Sequence, residues 1–223
     1  MFNFAFEMEN GSITHYNEKQ EQIILAAERL FSENGFNGTS VRDIAKLAGV
    51  NLAMISYYFG SKEKLLEAIF EFRISSSYIK LESITTNDKI EPIQKIFTLI
   101  DHYTDKLFNN TCFYKLMLSQ QLKLAENKDL LDIIYTSKKK NHELIAVLVA
   151  EGQRKGQFRK KIDIGLMMST LVGASNQIYF NQDFYRRINN ISDMPEEEFQ
   201  VFLKKKLRIH LKHMFKAILT HEI

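Results

Sequence analysis

The chain of 223 residues is poor in the residue types that build disulfide-rich, metal-binding or turn-rich proteins. Its one cysteine, Cys112, excludes an internal disulfide and a multi-cysteine metal site. Two prolines and nine glycines are too few turn residues for a β-sandwich or barrel. No apolar run reaches the roughly 18 residues that a membrane span needs. These absences predict an all-α, cytoplasmic protein without membrane contact.

Sequence motifs of catalysis are also missing. There is no glycine-rich phosphate loop, no nucleophile elbow and no His-Glu zinc motif. His210 and His213 lie three residues apart in the last predicted helix, but no third ligand accompanies them. We therefore predict that the protein is not an enzyme and holds neither a metal nor another cofactor.

Helical periodicity extends through most of the chain after residue 16. We predict a flexible leader at 1–16, followed by about nine helices and no strand. Four of the nine glycines lie within the 26 residues from Gly35 to Gly60. Short elements joined by sharp turns are expected in this segment, and longer helices elsewhere.

The block 40–59 has the pattern of two short helices that meet at a corner. Ser40 followed by Asp43 is typical of a capping box, and Gly49 suits the turn between the helices. Apolar residues at helical spacing bury a corner in which the helices cross at about 90–120°. In a helix-turn-helix, the outward face of the second helix enters the DNA major groove. The outward residues here are Asn51, Leu52, Ala53 and Ser56.

The flanks of this block distinguish it from an ordinary helical corner. The motif begins within the run AAERLFSENGFNGTSVRDIAKLAGV and is followed by YYFGSKEKLLEAIF. Over residues 17–77 the sequence resembles the DNA-binding domain of the TetR family of bacterial repressors. The resemblance implies a three-helix DNA-binding domain at 17–77. It also implies a larger helical domain at 78–223 that binds an effector and forms a homodimer.

The resemblance further implies contacts to double-stranded DNA at matching positions. Ser40 caps the first helix of the motif and touches a phosphate, and Arg42 reaches a base edge or a phosphate. On the recognition helix, Asn51 hydrogen-bonds a base, while Leu52 and Ala53 contact a thymine methyl group.

The remaining implied DNA contacts lie at the end of the recognition helix. Tyr57, Tyr58 and Lys62 match phosphate contacts, although Tyr58 is equally compatible with a core position. Ser56 is also expected to face the DNA, but the family often has tyrosine there. Base preference therefore does not transfer from relatives to this chain.

Bulk charge contributes little to the DNA binding predicted for 17–77. The segment has seven basic and eight acidic residues, a net charge of −1, whereas the whole chain carries +3. Binding must therefore come from placed contacts and from two copies acting together.

Two helices in the second half carry stripes that suit either a two-fold four-helix interface or an ordinary core. The stripes are Gly165, Ser169 and Gly173 on one helix and Leu203, Leu207 and Leu211 on the other. DNA geometry also favours a dimer, because two recognition helices need to lie about 34–36 Å apart.

Aromatic and methionine residues of the middle helices predict a pocket for a small apolar or aromatic effector. The expected lining residues are Phe97, His102, Tyr103, Phe113, Met117, Tyr135, Met168 and Asn176. Each of them is also compatible with an ordinary core position. The sequence thus predicts a homodimeric repressor that its effector releases from a palindromic operator. The alternative is a DNA-binding protein of the same fold without an effector.

Overall fold

A computed structural model describes residues 16–121 and 127–220 of the chain. Within these ranges the chain is all-α, as predicted, with ten helices and no strand. The helices are α1 (Glu18–Asn34), α2 (Val41–Ala48), α3 (Leu52–Phe59), α4 (Lys62–Thr85), α5 (Pro92–Asn109), α6 (Thr111–Gln121), α7 (Lys128–Arg154), α8 (Ile164–Phe180), α9 (Gln182–Ile188) and α10 (Glu196–Thr220). The helix absent from the predicted set of about nine is α9, which is too short to show a clear period.

The chain divides into two compact units that do not follow chain order. One unit takes Met1–Lys80 and Thr111–Lys138, and the other takes Leu81–Asn110 and Lys139–Ile223. The unit with the helix-turn-helix therefore includes α6 and the first part of α7, which lie outside the predicted 17–77 domain. Apart from Tyr16, the predicted leader lies outside the described residues.

In the first unit, α1 packs along both α2 and α6. Its buried apolar residues are Ile23, Ile24, Ala26, Ala27 and Phe31. They join side chains of α2, α3, α4, α6 and α7 in one apolar core. An ion pair also joins α1 to α4. Arg73 on α4 donates two hydrogen bonds to the Glu28 carboxylate on α1, at 2.6 and 2.7 Å. Both side chains of this pair are largely buried.

In the second unit, α10 packs along α5 and α8. Every fourth residue of α10 is buried, in the stripe Phe199, Leu203, Leu207, Leu211, Phe215 and Leu219. The stripe contains Leu203, Leu207 and Leu211, which the sequence predicts at a dimer interface. Each is at most 4% exposed within a single protomer, and their place at an interface stays a prediction.

A fully buried lysine, Lys95, fixes the end of α4 within the second unit. Its ammonium donates to the carboxylate of Glu151 at 2.8 Å and to the carbonyl oxygen of Thr85 at 2.9 Å. Thr85 is the last residue of α4, so the positive charge also meets the negative end of the helix dipole. The hydrogen bond from Lys95 holds the pKa of the Glu151 carboxyl below its ordinary value.

None of the helices in 16–121 and 127–220 combines the length and apolar character that crossing a bilayer requires.

Replacing Lys95 tests this buried contact. Lys95→Met keeps much of the side-chain volume but leaves Glu151 and the Thr85 carbonyl without the ammonium. We expect the free energy of unfolding to fall by about 3 kcal/mol, measured by denaturant titration. The control Lys155→Met removes an exposed ammonium that lies 3.2 Å from Glu151, and it should cost much less, because water screens an exposed ion pair. Equal losses in the two variants would contradict the anchoring role of Lys95.

Candidate DNA-binding interface

The corner between α2 and α3 is built from helix caps. Ser40 accepts a hydrogen bond from the Asp43 N–H, and Asp43 accepts one from the Ser40 N–H, which confirms the predicted capping box. Hydrogen bonds from Ser40 also hold the pKa of the Asp43 carboxyl below its ordinary value. Gly49 ends α2 in the left-handed conformation, with φ of 64°. The next N–H, of Val50, donates to the Ala45 carbonyl at 3.0 Å and closes the turn.

The helix α3 begins at Asn51 and turns one face to solvent. The Asn51 side-chain oxygen accepts a hydrogen bond from the Ala53 N–H at 2.9 Å, so this residue is the N-cap of α3. Ile55 is buried, and Met54 and Phe59 are half-buried on the inner side. The exposed residues of the cap and helix are Asn51, Leu52, Ala53, Ser56 and Tyr57. These five are the positions at which the sequence predicts DNA contacts on α3, other than Tyr58.

Two cations are exposed on the preceding helix, α2. Arg42 and Lys46 are exposed and four residues apart, and neither forms an ion pair within the described part of the chain. Arg29, Lys64 and Arg73 of the same unit are each paired with a carboxylate. The sequence analysis missed Lys46. Its signal was the spacing of four from Arg42, which places both side chains on one side of a helix.

The turn between α1 and α2 is fixed by Thr39, which the sequence analysis also missed. Thr39 is 3% exposed, and its hydroxyl donates to the carbonyl oxygens of Leu30 and Gly35. A threonine in a polar turn has no distinctive sequence pattern. Its role depends on the hydrogen bonds to the carbonyl oxygens of Leu30 and Gly35, which only the structure shows.

Lys62 and Tyr58 are half-buried within the first unit, and Tyr58 packs against its apolar core. The Lys62 ammonium donates to the carbonyl oxygens of Phe36 and Thr39 at 3.0 and 3.1 Å, and it lies 4.3 Å from the centre of the Phe36 ring. It thereby fastens the start of α4 to the α1–α2 turn. The phosphate contacts predicted for Lys62 and Tyr58 stay predictions, and both side chains have packing roles.

The eight residues predicted to line an effector pocket are divided between the two units. Those in the second unit are Phe97, His102, Tyr103, Met168 and Asn176. Phe113 and Met117 instead pack against the core of the first unit, where the Phe113 ring lies 5.3 Å from that of Phe70. Tyr135 also belongs to the first unit and is 66% exposed. Because α6 packs along α1, its apolar face serves the first unit's core rather than the group in the second unit.

The small residues predicted at a dimer interface lie on an exposed stripe of α8. The stripe consists of Gly165, Leu166, Ser169 and Gly173. On α10, the side opposite the buried stripe exposes Val201 and Ile209, at 70% and 44%. Both helices thus present small or apolar residues to solvent in the single protomer.

Replacing Lys62 separates a packing role from a phosphate contact. We expect Lys62→Met to lower the free energy of unfolding by roughly 2 kcal/mol, because two carbonyl oxygens lose a charged donor. The salt dependence of DNA binding, followed by fluorescence anisotropy, should be unchanged.

The control for this variant is Lys46→Met on the exposed side of α2. Its unfolding free energy should stay within about 0.5 kcal/mol of the native value, and its salt slope should fall by about 1. A reduced salt slope for Lys62→Met with unchanged stability would contradict the packing role.

The sequence of this chain is similar to those of known proteins. The family model for bacterial regulatory proteins, tetR family, matches residues 23–69, which include α2 and α3. The transcriptional repressor NicS of Pseudomonas putida is 30% identical over 172 residues, covering 74% of this chain and 76% of NicS. The fatty acid metabolism regulator protein of Bacillus subtilis is 26% identical over 160 residues, covering 71% of this chain and 80% of that protein.

A solved structure extends the similarity to nearly the whole chain. The fatty acid degradation regulator FadR of Bacillus halodurans matches with a TM-score of 0.66 at 26% identity, over 89% of this chain and 97% of that one. The two matched curated proteins and this solved structure are all regulators, which agrees with the exposed helix-turn-helix face described above. The chain belongs to the TetR family and is a helix-turn-helix transcriptional regulator.

Proposed function

We propose that the protein is a homodimeric repressor that binds a palindromic operator and leaves it when a small molecule binds the second unit. The observation that carries this proposal is the exposed face of α3, which ends a capped helix-turn-helix and rests on a buried core. The matched protein NicS is a transcriptional repressor, which supports repression as the direction of control.

The proposed DNA contacts follow from exposure. The residues that face base edges are Asn51, Leu52, Ala53 and Ser56. Tyr57, which is 84% exposed, reaches a phosphate with its hydroxyl. Ser40 at the N-cap of α2 and Lys46 within α2 contact the DNA backbone, and Arg42 contacts a base edge or a phosphate. Lys62 and Tyr58 support this surface from behind.

A second copy of the chain is proposed because one DNA-binding segment, 17–77, with its net charge of −1, has few contacts with which to hold DNA. The interface uses the exposed sides of α8 and α10. On α8, close approach of a second helix is allowed by the small residues Gly165, Ser169 and Gly173. On α10, apolar area for the interface comes from Val201 and Ile209, which are exposed, rather than from the leucine stripe, which is buried in the protomer.

The effector is proposed to bind inside the second unit. The Oγ of Ser175 and the Oδ1 atoms of Asn141 and Asn176 are buried, and none has a hydrogen-bond partner among the described residues. Buried polar atoms are normally paired, so these are positions for polar groups of a ligand. One turn after Ser175, the ring of Tyr179 contacts that of Phe108 at 5.3 Å. The proposed effector is an apolar or aromatic molecule that carries hydrogen-bonding groups.

Release from DNA requires the effector to favour the state that cannot bind the operator. A nearly complete switch needs about 5.5 kcal/mol of differential affinity, shared between the sites of the dimer. The helices α4 and α7 each have residues in both units, so they are the proposed path from effector to DNA.

Selection of bound duplexes from a random pool tests the operator proposal. We expect the enriched sequence to be a palindrome with half-site centres about one helical turn apart, because a two-fold dimer presents two copies of α3. Sequencing of the bound pool gives the result. A pool that stays as random as the input would contradict the proposal.

Gly173→Gln tests the dimer without damage to the protomer. An added Cβ at Gly173 meets no heavy atom within 4 Å, and glutamine is a better helix former than glycine. At a close helix interface, however, the longer side chain holds the two copies apart. We expect the dimer dissociation constant to rise at least about tenfold in sedimentation experiments, with no loss of the protomer's own unfolding free energy.

The control is Val147→Gln on α7, where the native side chain is 67% exposed. It should leave dimerisation and operator affinity unchanged. If Gly173→Gln dimerises as the native protein does, the exposed stripe of α8 is not the interface.

A further inference from the structure

The recognition helix has an unusual composition for a DNA-reading surface. Its sequence, LAMISYYF, has no lysine, arginine, histidine, aspartate or glutamate, and no asparagine or glutamine. Arginine or lysine is the common reader of guanine, through O6 and N7, and asparagine or glutamine is the common reader of adenine. No side chain within α3 itself can make these hydrogen-bond pairs.

The N-cap residue of α3 does not replace those readers. A flat two-bond contact with adenine uses both the oxygen and the nitrogen of an asparagine side chain. The oxygen of Asn51 accepts a hydrogen bond from the Ala53 N–H, which holds the amide against the first turn of its own helix. An adenine contact would have to use the second lone pair of this oxygen, with the amide held in the orientation that the cap sets.

An apolar side chain occupies the leading position instead. Leu52 is the first residue of α3 and is 42% exposed, and Ala53 beside it is also exposed. Of the four bases, thymine alone presents a methyl group in the major groove. An apolar helix start gains free energy from burying such methyl groups and nothing from facing the polar edge of guanine.

We propose, on the basis of the operator-binding function above, that the half-site is read through thymine methyl groups by Leu52 and Ala53. Base pairs that face the start of α3 are A·T pairs with their thymine methyl groups towards Leu52. Direct guanine contacts are confined to Arg42, whose side chain is exposed on the preceding helix α2. Ser56 adds a hydrogen bond that any of several bases satisfies.

Replacing thymine by deoxyuridine in the selected operator tests this directly. Deoxyuridine pairs as thymine does and lacks only the 5-methyl group. We expect binding of the native protein to weaken roughly fourfold for each contacted methyl group, as loss of one buried methyl(ene) predicts. Leu52→Ala should bind the thymine operator more weakly than the native protein and lose at least half of this sensitivity to deoxyuridine.

The matched control is Leu118→Ala on α6, where another leucine is 41% exposed in the same unit. It should keep the full native sensitivity to deoxyuridine. The inference is overturned if native protein binds the deoxyuridine operator as tightly as the thymine operator. It is also overturned if replacing thymine by deoxyuridine weakens the binding of Leu52→Ala as much as that of native protein. Failure of the proposed operator binding would give a different result, because selection from the random pool would then enrich no sequence in which thymine could be replaced.

Discussion

The DNA-reading surface depends on an apolar core, because the helices that form it are too short to be stable alone. Each of α2 and α3 has eight residues, and isolated helices of that length are marginal in water. They persist because Ile44, Ala45 and Ile55 are buried in the core that α1 and α4 share. Caps at Ser40 and Asn51 and the left-handed Gly49 then set where each helix begins and ends. The exposed face of α3 is thus a consequence of the packing beneath it.

Electrostatics has a secondary and local role in this arrangement. The overall charge of +3 suggests a basic DNA-binding protein, yet the segment 17–77 has a net charge of −1. Several basic residues in the second half serve its own packing. Lys204, Arg208 and Lys212 on α10 form ion pairs with Asp101 and Asp105 on α5. The proposed recognition therefore rests on an uncharged helix, α3, with Arg42 and Lys46 as exposed cations on the preceding helix α2.

Local features of the fold were predictable from sequence, because caps and turns are set by neighbouring residues. The capping box at Ser40, the turn at Gly49 and the outward positions of α3 all follow from residues within one or two turns. Features that depend on distant contacts were not predictable. The periodicity of α6 gives it an apolar face, but only the fold shows that this face packs along α1. For the same reason the sequence did not predict that Leu203 is buried within the protomer or that Lys62 donates to two carbonyl oxygens.

The central claim is that an uncharged helix on a buried core, rather than a basic surface elsewhere, recognises the operator. Amide hydrogen exchange, measured by mass spectrometry in the free protein and in the operator complex, tests it most directly. The account predicts that DNA slows exchange chiefly in peptides that cover residues 40–58. Slowed exchange around the lysine runs at 138–140 or 204–206, with no change at 40–58, would contradict it.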